Sequence, residues 1–386
     1  MSILKRTILF LFVIANLAIC NDVTAHSRTP EHPYPYIEQE VFFQNRKDRI
    51  RLAGTLSLPL SARPCPAVVL CSGIGPQDRN ADLYGHKLFL VIAHHLTRLG
   101  IAVLRVDDRG VGSSTGNFIQ STSADFAADA LAAVGYLKTR KDIVHSQIGL
   151  LGHSEGGLVA PLAAAQSSDV AFLVMMAGPG LKGDQIVVGV GGLDLDGSWL
   201  RRDLISQIRE AQERVFTIIK NERYDDASEA AIMKEAKLFH EIADRIRAEA
   251  PESEKQTAEK VASAIQDQVP VFLSRWFRFF ITYDPRSALT RVRCPVLAVY
   301  GAKDVMVPAE ANWEAVREAL DSGGNTNYTA LILPGLNHLF QTAQTGAIYE
   351  YDQIGETISI DALNTVSDWI LAHTNQRALL QSRFQR

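Results

Sequence analysis

An α/β fold, built as a mostly parallel sheet with helices on both faces and an inserted helical cap, is what this 386-residue sequence predicts. Two patterns carry that expectation. From Ala67 onward, short β-branched apolar runs alternate with longer stretches of helical period, and such alternation makes successive strands parallel because a helix must cross over between them. The series then stops at Ala177-Gly178-Pro179-Gly180, gives way to a charged helical stretch as far as Pro285, and resumes. The chain therefore divides into a leader (1–25), a first part of the core (26–180), the cap (181–285) and a second part of the core (286–386).

Taken in order, Lys5 and Arg6 precede the apolar run from Thr7 to Ile19, which is too short and too interrupted by Asn16 for a comfortable membrane span. It reads as a signal peptide with the small-residue cleavage signature Val23-Thr24-Ala25, so the expected product is exported, begins at His26 and is not stably inserted in a membrane. Leu17-Ala18-Ile19-Cys20 resembles a lipoprotein box, but Ile19 is bulky where a small residue is needed; lipidation at Cys20 and an uncleaved membrane anchor are the alternative readings. Residues 26–36, with Pro30, Pro33 and Pro35, lead in extended; 40–45 and 52–58 flank the polar Arg46-Lys47-Asp48-Arg49 turn as an edge hairpin. The regular series follows: strand 67–71, helix 86–99, strand 101–106, helix 123–139, strand 147–151, helix 156–166 and strand 170–176. Within the cap, 200–221, 227–247 and 257–269 carry apolar residues at helical spacing, and the aromatic group Phe272, Trp276, Phe277, Phe279, Phe280 favours a packed lid. Gly189-Val190-Gly191-Gly192 reads as a flexible way into that insertion. The core resumes as strand 295–300, helix 309–320, strand 328–333 and helix 360–373.

Composition narrows the function classes. With 47% hydrophobic and 21% charged residues the chain can bury a sizeable core. A net charge of −4, with no Lys/Arg run interleaved with aromatics, speaks against nucleic acid as a partner. Beyond the leader, Cys65, Cys71 and Cys294 are odd in number and lack ladder spacing, so burial as small hydrophobes is expected. Cys65 and Cys294 each precede a proline at a strand start, which leaves a single bridge open. No Cys/His spacing suits zinc and no calcium loop is present, so neither a metal nor a cofactor is expected.

The chemistry centres on Gly152-His153-Ser154-Glu155-Gly156, which follows the apolar run Ile148 to Leu151 and precedes a small-residue helix, with Pro161 expected in its first turn. That is a strand, a sharp turn and a helix, and it lifts the Ser154 hydroxyl clear of the sheet as a candidate nucleophile. A serine nucleophile needs a base and a group to orient the base. Gly301-Ala302-Lys303-Asp304 puts a carboxylate on the turn after strand 295–300, and Pro334-Gly335-Leu336-Asn337-His338 puts an imidazole on the loop after strand 328–333. Asp304 and His338 are therefore the candidate acid and base; the rivals Asp284 and Asp321 precede a strand and end a helix, respectively. His94, His95 and His240 fall on helical stretches and His153 is expected to point into the structure. An oxyanion needs backbone donors. The amide of Glu155 supplies one, and the loop Ser72-Gly73-Ile74-Gly75-Pro76-Gln77-Asp78-Arg79 supplies the other through Ile74, with Gly75 as the alternative. Gly73 and Gly75 let backbone approach a substrate closely. The loop 107–116 lacks the ending of a phosphate cradle, and Asp107, Asp108 and Arg109 are expected to tie it down.

These segments, with Asp107 to Gly116 and Leu336-Asn337-His338-Leu339-Phe340, resemble the α/β-hydrolase superfamily and, more narrowly, a bacterial EstD-like esterase branch. The resemblance spans the chain after the leader and implies the α/β-hydrolase fold and Ser/His/Asp chemistry on small-molecule esters. Ile74 stands where that branch carries a smaller residue, which a backbone donor tolerates while the acyl site narrows. The expectation is an exported serine carboxylesterase for short- to medium-chain acyl groups, with Trp276 shaping the acyl site from the cap. A peptidase, thioesterase or acyltransferase on the same fold, or a non-catalytic binding module, are the alternatives. Oligomeric state is not encoded in any motif.

Overall fold

The computed structural model describes residues 29–60, 64–190 and 202–374. The predicted leader and its cleavage site therefore lie outside the described residues. Eight strands form one sheet: β1 (Ile37–Asn45), β2 (Ile50–Leu58), β3 (Cys65–Cys71), β6 (Ala102–Val106), β7 (Ile143–His153), β8 (Phe172–Met176), β9 (Val296–Gly301) and β10 (Tyr328–Leu333); β4 (Asp82–Leu83) and β5 (His86–Lys87) make a separate small hairpin. The order across the sheet is β1-β2-β6-β3-β7-β8-β9-β10. β1 and β2 pair antiparallel, as does β2 with β6, and every later pair is parallel.

The burial of each strand follows from its place. β3, β8 and β9 are buried at every residue, because helices cover both faces of a parallel sheet. β1, at the edge, alternates toward Val41, Phe43 and Asn45. On one face α2 (Ser123–Leu137), α3 (Gly156–Ala164) and α10 (Ala309–Ser322) pack with Val69, Leu150 and Tyr300; on the other α1 (Leu88–Arg98) and α11 (Ile360–His373) pack with Val68, Phe172 and Val299. α2 starts on a capping box, Thr122 with Asp125, and α11 on Ser359, whose hydroxyl accepts from Ala362 N–H.

Between β8 and β9 the chain forms α4 (Gly183–Val190), α5 (Arg202–Asn221), α6 (Asp226–Glu249), α7 (Lys255–Phe272), α8 (Arg275–Thr282) and the single turn α9 (Arg286–Leu289). α4 to α8 close a second apolar cluster that includes Leu204, Phe216, Phe239, Ile265 and Trp276. This cap leaves and rejoins the core at one place, since a Cβ on Gly183 would fall on the Phe280 carbonyl.

Three local expectations need correction. Gly189 and Val190 end a helix rather than a flexible link; Gly191 and Gly192 lie outside the described residues. Pro161 falls in the second turn of α3, where its ring removes one bond to the Gly157 carbonyl, and the helix stops soon after at Ala164. Cys65 and Cys294 are not bridged: neither is in a disulfide, Cys65 and Cys71 are buried, and Cys294 is part-buried.

Candidate active site

β7 ends at His153, and the next residue takes a backbone conformation that a side chain normally avoids: Ser154 has φ +56°. Its N–H donates to the Met176 carbonyl at 2.9 Å, which fixes the turn to the end of β8. The turn is tight enough that a Cβ on Gly152 would fall on the Gly156 carbonyl and one on Gly156 on the Cys71 carbonyl. Strain of this kind persists only where neighbours hold it.

Asp304 follows β9 in a turn closed by its own N–H on the Gly301 carbonyl at 3.0 Å. Its Oδ1 accepts from the Met306 and Val307 amides, each at 2.8 Å, and its Oδ2 accepts from His338 Nδ1 at 2.8 Å. With Nδ1 carrying the proton, His338 Nε2 is the acceptor facing Ser154 Oγ at 3.0 Å. The His338 loop is braced by Asn337, whose Oδ1 accepts from the Leu339 and Gln341 amides. Behind it His153 donates Nε2–H to the His338 carbonyl at 2.8 Å. Burial, then the nearby His338, pushes the His153 imidazole down to about 3, so it stays neutral. The rival acids are elsewhere: Asp284 pairs with Arg286 at 2.5 Å, and Asp321 accepts from the Tyr328 hydroxyl. His94 bonds the Tyr36 hydroxyl, His95 the Ser367 hydroxyl, and His240 the carbonyl of its own helix at Ala236.

The loop after β3 is held from below. Ser72 donates to Asp108 Oδ1 at 2.5 Å, the Gln77 amide donates to Asp108 Oδ2 at 2.8 Å, and Gln77 Nε2 donates to the Ile74 carbonyl at 3.0 Å. Arg79 grips both oxygens of Asp107, and Arg109 joins Asp129 and Asp48. Gly73 keeps the loop close to the serine turn: a Cβ there would stand 3.1 Å from that of Ser154, a crowded contact. Among the described residues the backbone N–H groups of Ile74 and Glu155 have no hydrogen-bond acceptor, which leaves both available to a ligand.

Ser154 and His338 floor a cleft whose walls are mainly apolar, with Ile186 and Phe280 from the cap, Leu83 and Tyr84 from the β4–β5 hairpin, and Met306 from the Asp304 loop. Gly73, Ile74 and Glu155 line it, whereas Gly75 does not. Trp276 is also absent from the wall: it is fully buried, and its indole N–H reaches Glu155 Oε1 at 2.8 Å from behind. An aromatic stripe in the sequence does not say which ring faces the cavity, and Phe280, one turn further along α8, is the one that does. Tyr84 is a residue that sequence reasoning missed. Its signal was the Tyr84-Gly85 turn, with both residues at positive φ.

The Glu155 carboxyl is buried, and burial pushes it up to about 7 although Ser123 and Trp276 donate to it. Asp108 is likewise pushed up to about 7, mainly by burial. Among the described residues no cluster of three His, Cys, Asp or Glu side chains is placed to hold a metal ion, and no helix is long and apolar enough to cross a membrane.

Residues 63–342 match the family described as serine aminopeptidase, S33, an α/β-hydrolase family. The chain belongs to it. This α/β hydrolase is 26% identical over 305 residues to esterase EstD of Thermotoga maritima, a match covering 79% of this chain and 61% of that protein, so it spans about three fifths of that relative's length. It is also 26% identical over 277 residues to an uncharacterized 31.7 kDa protein encoded in the traX-finO intergenic region of Escherichia coli, covering 72% of this chain and 85% of that one. Among solved structures, the α/β hydrolase GrgF of a Penicillium species superposes with a TM-score of 0.52 at 19% identity, over 88% of this chain and 99% of that one. The Pyrococcus furiosus esterase Pf2001 superposes at 0.51 and 16% identity, over 90% and 96%. Both share the fold.

Proposed function

We propose that the protein is a serine carboxylesterase acting on short- to medium-chain acyl esters. The observation that carries this reading is the hydrogen-bonded series Ser154–His338–Asp304 at the floor of an apolar cleft. In the proposed reaction His338 Nε2 takes the Ser154 proton as Oγ attacks the ester carbonyl, and Asp304 stabilises the imidazolium that results. The Ile74 and Glu155 amides receive the developing oxyanion. His338 then protonates the leaving alcohol, and a water activated by the same imidazole releases the acyl group from Ser154.

The family description and the name of the Thermotoga relative point to different substrates, a peptide amino terminus and an ester. The cleft favours the ester. An α-ammonium needs a carboxylate to meet it, and among the described residues the one acidic residue in the wall, Glu155, is turned to Ser123 and Trp276. A cleft walled by Ile186, Phe280 and Met306 offers apolar surface for acyl chains of about two to eight carbons. Export rests on the sequence of residues 1–25 alone, and its test is the mass of the exported product, expected to begin at His26. The esterase reading is tested by p-nitrophenyl esters from acetate to palmitate beside dipeptide anilides. Hydrolysis of the anilides with little turnover of any ester would replace it with the peptidase.

A further inference from the structure

The cap touches the serine turn through a polar contact. Trp276 on α8 donates its indole N–H to Glu155 Oε1 at 2.8 Å, and Ser123, the first residue of α2, donates its hydroxyl to the same oxygen at 2.6 Å. Glu155 is 1% exposed, and among the described residues its other oxygen, Oε2, has no hydrogen-bond partner. A carboxyl group held at one oxygen and bare at the other costs the fold stability that an apolar side chain would not. Its use lies in its position. Glu155 directly follows Ser154, and its own N–H is one of the two amides left without an acceptor. The second belongs to Ile74, whose side chain packs against the cap cluster that contains Trp276. Each donor is thus tied through its own side chain to the cap.

We propose that Trp276 is a positioning residue for the oxyanion site: through Glu155 it fixes the amide after the nucleophile, while the cap core fixes the Ile74 amide, so the pair is assembled only with the cap seated. The proposal deepens the esterase reading and rests on it. Trp276 stacks on Phe280, with ring centroids 5.6 Å apart and planes 16° from parallel, and Phe280 lines the cleft. The ring that meets substrate and the ring that holds Glu155 are therefore one packed unit. An oxyanion donor acts within a narrow distance range, and loss of one costs about a hundredfold or more in kcat, so partial misplacement costs a fraction of that.

Trp276→Phe keeps a ring against Phe280 and removes the N–H. On p-nitrophenyl acetate, this variant is expected to lose about tenfold in kcat with KM changed by less than about twofold. It is expected to lose affinity by a similar factor for a trifluoromethyl ketone, which forms an oxyanion when Ser154 adds to it. Glu155→Leu approaches the contact from the other side and should lose more than Glu155→Gln, which keeps a carbonyl acceptor for the indole. A purely structural role would lower the melting temperature of Trp276→Phe and leave kcat and ketone affinity at wild-type values, or make the Leu and Gln variants equal in kcat; either result overturns the proposal. Ser154→Ala tests the reading beneath it separately. If Ser154→Ala is inactive while Trp276→Phe has wild-type kinetics, the esterase stands and the role of Trp276 falls; an active Ser154→Ala removes both.

Discussion

The strand-end loops and the cap hold their residues by opposite means. Ser154, Asp304 and His338 each lie within a few residues of a strand end and are braced by backbone groups: the Met176 carbonyl, the Met306 and Val307 amides, and the His338 carbonyl that His153 reaches. Phe280, Ile186 and Trp276 instead come from helices that pack on one another and owe their places to a separate apolar cluster. In the first region geometry is set over a handful of residues; in the second it is set over a whole packed layer. Changes at the strand ends are thus expected to act on the chemistry alone, and changes in the cap on substrate fit, with the Trp276–Glu155 contact as the point where the two regions are joined.

The largest break falls on the chemistry. Ser154→Ala is expected to lower kcat/KM for p-nitrophenyl esters by about 10⁵-fold with unchanged circular dichroism, since the nucleophile alone is removed. Next is Asp304→Asn, at roughly 10⁴-fold, because the amide favours the wrong His338 tautomer. Asp284→Asn, which breaks only the surface pair with Arg286, is expected to leave activity unchanged, and the reverse ranking of the two variants would show that the acid is misassigned.

A third test uses pH. Burial raises the Glu155 carboxyl to about 7, above its unfolded value near 4.5, so the native state holds the extra proton between those limits. Stability from this group is present below about pH 4.5 and is lost as pH rises toward 7. Glu155→Gln lacks that loss, and urea unfolding should find it more stable than wild type by up to about 3 kcal/mol at pH 8 but similar at pH 4. Asp108, raised in part by the Glu155 charge, titrates in the same window, and removing that charge should move its own titration down. A difference between variant and wild type that does not vary with pH would sink this account.

The smallest effect tests the cap side. Phe280→Ala opens the cleft wall and is expected to shift the best acyl length upward by one or two carbons, a change in relative kcat/KM of about 1–3 kcal/mol between hexanoate and decanoate esters. An unaltered chain-length profile would show that the cap wall does not meet the acyl group.

Legibility in the sequence divides along the same line. The order of strands and helices is readable because buried parallel strands are continuous apolar runs, and the serine, acid and base candidates are readable because each follows such a run at short distance. What joins residues far apart in sequence is not readable. Ser123 carries no signal beyond its place at a helix start, yet it meets Glu155 across 32 positions. Trp276 and Phe280 share one helical face in sequence, and only packing decides that Phe280 meets the cavity while Trp276 lies behind it. Pro161 shows the limit of a local rule, since a short helix tolerates in its second turn what a long one would not.

The junction at Gly183 and Phe280 has a consequence for descent. A segment whose two ends touch can be lengthened, trimmed or exchanged without changing the gap that the rest of the chain must span. Lineages built on this sheet can therefore trade one insertion for another and acquire new substrates by recombination at that seam, while the strand ends carrying Ser154, Asp304 and His338 pass through unaltered.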